Sequence, residues 1–138
     1  MKQWNVITGV IGTDPHIVGS TILTLALDKE KEFKVTKLGA MVSPEEFIHA
    51  AIETKADAVM ISSLSGFAEI YLRDFREKCH EAGLENILIY VGGYLVIGKT
   101  VWEEIESKFK SLGINRVYPP DTLPETVVKD LRADLGIN

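Results

Sequence analysis

Residues 5–19 read NVITGVIGTDPHIVG, and this stretch decides the fold. An apolar, β-rich run over residues 5–11 stops at Gly12, passes through the short polar loop Thr13, Asp14, Pro15, His16, and then turns apolar again. The same alternation repeats outward along the chain. Strands are expected at residues 33–38, 58–62, 87–91 and 116–118, with helical patterns between them. Ser43, Pro44 and Glu46 supply an N-cap serine, a proline at the first helical position and a reciprocal glutamate. Phe67, Tyr71, Phe75 and Cys79 predict one continuous third helix, which makes Cys79 a core residue. Val101, Ile105, Phe109 and Leu112 mark a fourth helix, and Val127, Leu131 and Leu135 mark the last, with capping-box spacing at Thr122 and Glu125. Five strands alternating with five helices predict an α/β, doubly wound, flavodoxin-like parallel sheet of order 2-1-3-4-5. Ligands of such sheets bind at the carboxyl ends of the strands, so the loops after Ile11, Ser62, Val91 and Tyr118 carry the interest.

Bulk properties agree with one domain spanning residues 1–138, a size that buries roughly 68% of the unfolded chain's surface. The sequence is 46% hydrophobic and 25% charged, which excludes a disordered chain. A net charge of -5 without a basic run argues against nucleic acid as a partner. Cys79 is the single cysteine, so no intrachain disulfide forms. The N-terminus shows no secretion signal, and the expected address is cytoplasmic. The most apolar stretch, residues 87–98, is too short to span a bilayer and is interrupted by Gly92 and Gly93, so no membrane segment is expected.

The loop after the first strand carries the first candidate chemistry. In extended backbone, residues two apart face the same side, so the Asp14 carboxylate can hold one imidazole nitrogen of His16 and leave the other for a metal. The competing reading makes Asp14 a helix cap, Pro15 the first helical residue and His16 an exposed bystander. His49 and His80 fall on predicted helices, and no cysteine pair exists. A zinc site built by the protein alone is therefore disfavoured, and His16 would meet a metal that arrives inside a cofactor.

Two further loops add to it. Ser62, Ser63 and Leu64 follow the third strand; Gly92, Gly93, Tyr94, Leu95, Val96, Ile97 and Gly98 follow the fourth. Paired glycines admit a bulky group close to the backbone, and serine hydroxyls can bond a buried heterocycle. Gly93 to Gly98 with Lys99 and Thr100 also satisfies the G-x-x-x-x-G-K-T pattern of a phosphate-binding loop. Its interior is bulky, however, and the third strand ends in Ser62 where a magnesium-binding aspartate would be needed. A phospho-receiver, which shares the predicted fold, needs an aspartate ending the third strand and a lysine ending the fifth; Ser62 and Tyr118 stand there.

Asp14, His16 and Gly19 reproduce D-x-H-x-x-G, Ser62 and Leu64 S-x-L, and Gly92 with Gly93 G-G, in the order and spacing of cobalamin-binding domains of the base-off, His-on type. The chain resembles that family from near Val6 to the C-terminus, and within it the small, or sigma, subunits of glutamate mutase. Residues 9–12, 51–57, 76–83 and 117–120 are similar almost residue for residue. The resemblance implies adenosylcobalamin as cofactor, with His16 replacing the dimethylbenzimidazole base beneath cobalt and Asp14 bonded to His16. It places Thr13, Asp14, Pro15, His16 and Ile17 under the corrin. Ser62, Ser63, Leu64 and Gly93 to Gly98 line tail and corrin, with Gly19, Gly92 and Tyr118 also in the cofactor site. It implies a separate large (epsilon) barrel-type subunit, two large with two small, and radical rearrangement of L-glutamate to threo-3-methylaspartate. Pro15 departs from the family's frequent cysteine, Ser65 to Ala68 from a tyrosine followed by glycines and a glutamine, Tyr94 from asparagine and Asp121 from glycine. Alternatives within the resemblance are another B12-dependent mutase and a corrinoid carrier for methyl transfer. The carrier usually has an N-terminal helical cap over the corrin, for which a strand starting near Asn5 leaves no room.

Overall fold

The computed structural model describes residues 2–98 and 100–137. Five strands, β1 (Trp4–Val10), β2 (Phe33–Lys37), β3 (Ala58–Ser63), β4 (Leu88–Gly93) and β5 (Arg116–Tyr118), form one parallel sheet of order β2-β1-β3-β4-β5. The helices are α1 (Val18–Asp28), α2 (Pro44–Thr54), α3 (Ala68–Leu72), α4 (Phe75–Glu81), α5 (Trp102–Ser111) and α6 (Pro124–Leu135). The doubly wound sheet and its order are those expected from the sequence.

Period-two alternation along the strands divides the core between two faces. Ile7, Val59, Ile61, Ile89 and Val91 pack with Phe47, Phe75 and Phe109 in one layer. Val6, Met60 and Tyr90 pack with Leu27, Val128 and Leu131 in the other. Each such side chain contributes roughly 1.5–3 kcal/mol on burial. A part-buried hydrogen bond between the Thr8 and Thr24 hydroxyls, 2.7 Å, ties α1 to β1. α2 starts as its sequence requires: Ser43 Oγ accepts from Glu46 N at 3.1 Å, and Glu46 Oε1 accepts from Ser43 N at 3.2 Å.

Three local expectations are corrected. The third helix is two, α3 and α4, separated at Arg73 and Asp74, so there are six helices among the described residues. Strict spacing of four drifts around a 3.6-residue turn. The row that the protein buries is Ala68, Leu72, Phe75 and Cys79, while Phe67 stays exposed and Tyr71 is only half-buried. The last helix lacks the expected capping box. Leu123 occupies the N-cap and Pro124 the first turn, where the fixed proline φ suits it, and Thr122 Oγ1 turns back to donate to Pro119 O at 2.8 Å. β4 also runs two residues further than expected, because Gly92 and Gly93 stay paired with Ser62 and Ser63.

α6 is fastened to the sheet by a polar network. Tyr90 Oη donates to Asp134, Tyr118 Oη to Asp130 at 2.8 Å, and Arg116 grips both oxygens of Asp134 at 2.7 and 2.8 Å. Burial, reinforced by the carboxylate each phenol faces, raises the pKa of Tyr90 and Tyr118 far above the ordinary tyrosine value. Cys79 is buried, and that burial pushes its thiol up to about 11 against a weaker opposing pull from Arg76. It has no thiolate to offer near neutrality. Among the described residues, no helix is long and apolar enough to cross a membrane.

Candidate functional site

The register brings Val10, Ser62, Gly92 and Tyr118 into one row across four strands near their carboxyl ends. The loop after β1 rises beside that row and is anchored on several sides. Gly12 has φ +82°, and the Tyr71 ring occupies the space its Cβ would need, at 2.4 Å. Gly12 N donates to Val42 O at 2.8 Å, and Met41 N donates to Asp14 O at 3.1 Å.

Asp14 points inward and is 2% exposed. α1 begins only at Val18, after Ile17, with no side-chain cap, so the helix-cap reading of Asp14 does not hold. The carboxylate serves three donors instead. Oδ1 accepts from His16 N at 2.9 Å and lies 2.7 Å from His16 Nδ1; Oδ2 accepts from Leu64 N at 2.6 Å. Burial opposes ionisation of Asp14, but the amides of His16 and Leu64 together with the imidazole outweigh it and hold the pKa below the usual value. An ionised carboxylate only accepts hydrogen bonds, so the proton of the pair sits on Nδ1 and the lone pair of His16 on Nε2. The His16 side chain is 65% exposed, leaving that nitrogen accessible.

Behind His16 lies a cavity of about 140 Å³. Gly19, Ser20 and Leu23 of α1 form one wall. Met60, Ser62, Tyr90 and Gly92, alternate residues of β3 and β4, form the floor. Tyr118, Pro119, Pro120, Thr122, Pro124 and Val127 close the far side. Of the residues singled out from the sequence, His16, Gly19, Ser62, Leu64, Gly92, Gly93 and Tyr118 line this cavity. Asp14 joins them through its hydrogen bonds. Gly93 has φ +117°, and a Cβ there would meet Ser63 O at 2.1 Å, so β3 and β4 close up at this point only around a glycine.

The remaining candidates lie elsewhere. Thr13, Pro15 and Ile17 are exposed on the loop. Ser63 is fully buried, 3.4 Å from the Ser65 hydroxyl. Tyr94 and Ile97 are exposed, Val96 is half-buried, Gly98 is exposed, and Leu95 packs into the core on the opposite face of the sheet. Lys99 of the phosphate-loop pattern is outside the described residues. The sequence reading missed Met60 and Tyr90, although period two from Ser62 and Gly92 points to both. It also missed Ser20 and the prolines after β5, which nothing short of the folded arrangement of α1 and α6 reveals.

Residues 4–108 match the B12 binding domain family. Over 137 residues the chain is 53% identical to the glutamate mutase sigma subunit of Carboxydothermus hydrogenoformans, covering 99% of each. The chain belongs to the B12-binding domain family, among the glutamate mutase sigma subunits. As a B12-binding domain it is similar in fold to a cobalamin-binding protein from Desulfitobacterium hafniense, with TM-score 0.74 and 20% identity, covering 96% of this chain and 59% of that one. It is also similar to a response-regulator receiver domain from Mycobacterium tuberculosis, TM-score 0.70 and 13% identity, covering 99% of both. The fold is thus shared with domains of unrelated chemistry, and the residues at the sheet edge separate them. β3 ends in Ser62 and Ser63 and β5 in Tyr118, without the acceptor aspartate or the lysine of a receiver.

The residues present in this B12-binding domain fit a corrinoid on three counts. His16 offers a free Nε2 at the cavity, fixed from behind by Asp14. The cavity walls are largely apolar, as suits a heteroaromatic tail. Among the described residues, Ser20 Oγ, buried in the α1 wall, has no hydrogen-bond partner, and Gly19 beside it has nothing within 4 Å of where a Cβ would sit.

Proposed function

We propose that this chain is the cofactor-binding subunit of glutamate mutase, holding adenosylcobalamin with His16 Nε2 as the ligand beneath cobalt. The observation that carries this reading is the shared Asp14 carboxylate: it fixes the His16 tautomer at 2.7 Å and is itself fixed by Leu64 N at 2.6 Å, at the mouth of an apolar cavity. When bound, adenosylcobalamin supplies a cobalt–carbon bond whose homolysis starts the rearrangement of L-glutamate to threo-3-methylaspartate.

Each protein group has a separate task. Asp14 keeps the proton on Nδ1 and so the lone pair on Nε2, and it fixes the orientation of the ring. Leu64 N and the loop contacts at Gly12 and Met41 hold Asp14 where a rotation of either side chain would break the pair. Gly19, Ser62 and Gly92 leave room for the nucleotide tail, and Tyr118 with Val127 closes the slot around it. Thr13, Pro15 and Ile17 lie on the loop that would face the lower side of the ring, with Tyr94, Val96, Ile97 and Gly98 at its border; Ser63 and Leu95 support those loops from within.

The chain would work beside a large barrel-type subunit that holds the substrate, two of each in the complex. Every loop that follows a strand exposes a large apolar side chain: Ile17, Met41, Phe67, Tyr94 and Leu123. A rim of that kind suits a surface covered by cofactor and partner together. The ligand assignment is tested by reconstitution with cob(II)alamin and EPR. Nitrogen superhyperfine coupling that changes with ¹⁵N-histidine labelling and vanishes in His16→Gly is the expected result, and coupling that survives in that variant overturns it. The substrate assignment is tested by mixing the protein with a glutamate mutase large subunit: L-glutamate should be converted, and inactivity of a formed complex overturns it.

A further inference from the structure

Ser20 occupies the first turn of α1 and is 2% exposed, yet its hydroxyl has no hydrogen-bond partner among the described residues. Two helical hydroxyls of this protein bond the carbonyl four residues back, Thr24 Oγ1 to Ser20 O at 2.7 Å and Thr54 Oγ1 to Ala50 O at 2.9 Å. Ser20 does not, and it is one of the residues that line the cavity. Of the other hydroxyls of that cavity, the buried Tyr90 donates to Asp134, the half-buried Tyr118 and Thr122 donate to Asp130 and Pro119 O, and Ser62 is half-buried, so Ser20 carries the one buried hydroxyl of the lining without a partner among the described residues. An unpartnered buried hydroxyl destabilises a fold, and at the wall of a ligand cavity a bound ligand can supply the partner.

We infer that Ser20 is a specificity-determining contact, whose hydroxyl hydrogen-bonds the nucleotide tail of the corrinoid, so that the protein separates complete corrinoids from those lacking the tail. The inference rests on the cavity being the tail site. Removing the hydroxyl then has opposite effects on the free and the loaded protein: the free protein loses an unsatisfied group, and the complex loses a bond.

The test measures dissociation constants for cob(II)alamin and for cobinamide, which has no nucleotide, together with the unfolding midpoint of the ligand-free protein. The variants are Ser20→Ala and Thr21→Ala; Thr21 Oγ1 is also buried without a partner but does not line the cavity. Ser20→Ala should weaken cob(II)alamin about 10-fold, leave cobinamide within about twofold and raise the unfolding midpoint. Thr21→Ala should leave the ratio of the two constants unchanged. A corrinoid with adenine in place of dimethylbenzimidazole locates the bond: a loss that persists places it on the ribose-phosphate, and a loss that disappears places it on the base. Unchanged or proportionate constants in Ser20→Ala overturn the contact. A wild-type protein that binds cob(II)alamin no more tightly than cobinamide overturns the tail cavity itself.

Discussion

Asp14 is charged, buried and shared between two segments fifty residues apart, and its consequences can be measured with and without cofactor. Asp14→Asn keeps the shape but presents an amide that no longer dictates which imidazole nitrogen carries the proton. Cobalamin affinity should fall about 10- to 100-fold, read by absorbance titration; an affinity equal to wild type would falsify the orienting role. The acid limb gives a second reading. The folded-state pKa of Asp14 is depressed, so its contribution is complete above the unfolded value of about 3.9 and is lost as pH falls through the folded value. Urea midpoints between about pH 2 and 5 should therefore drop more steeply in wild type than in Asp14→Asn. The pairing of Asp14 with His16 was legible from their spacing, because two residues in extended backbone share a side. The Leu64 amide was not, since the bond joins the loops after β1 and β3 and a main-chain donor leaves no mark in sequence.

At the level of elements, two glycines with opposite surroundings make a matched pair. Gly93 sits at φ +117° with Ser63 O where its Cβ would lie, so Gly93→Ala should cost at least about 2 kcal/mol by denaturant titration. Gly19 is helical and faces open space, so Gly19→Ala should stabilise the free protein by roughly 0.5–1 kcal/mol while narrowing the cavity and weakening cobalamin. Equal affinities for Gly19→Ala and wild type would show that the tail does not pass that wall. The elements themselves were readable where one periodicity dominated. Alternation fixed the five strands, and Ser43, Pro44 and Glu46 fixed the start of α2. Reading failed where two signals competed. The Phe67-to-Cys79 series looked continuous but followed the wrong row, and Thr122 had the spacing of a cap but lost that place to Leu123, one residue ahead of the proline that opens the helix. Gly92 and Gly93 read as loop after the fourth strand, although backbone pairing with Ser62 and Ser63 continues through both.

For the molecule as a whole, alternation gives the doubly wound class, its common flavodoxin-like order is 2-1-3-4-5, and ligands of such sheets bind at the carboxyl ends of the strands near the switch point, where the site lies. The depth of the cavity does not follow from alternation, because it depends on how far α1 and α6 stand apart. The exposed rim gives the prediction at this scale: Met41→Asp with Leu123→Asp should weaken association with a glutamate mutase large subunit at least about 10-fold in sedimentation, with cob(II)alamin binding by the free chain little changed. Undiminished association would place the partner on another face. The clamp that sets α6 on the sheet also makes the protein its own optical gauge. Two of its four tyrosines, Tyr90 and Tyr118, keep their phenolic protons bound to Asp134 and Asp130, whereas the unfolded chain releases them at about pH 10. Stability therefore falls as pH rises past that value, and the ultraviolet absorbance of these two phenolates should emerge in step with the loss of helical circular dichroism, reporting in real time when the C-terminal helix leaves the sheet.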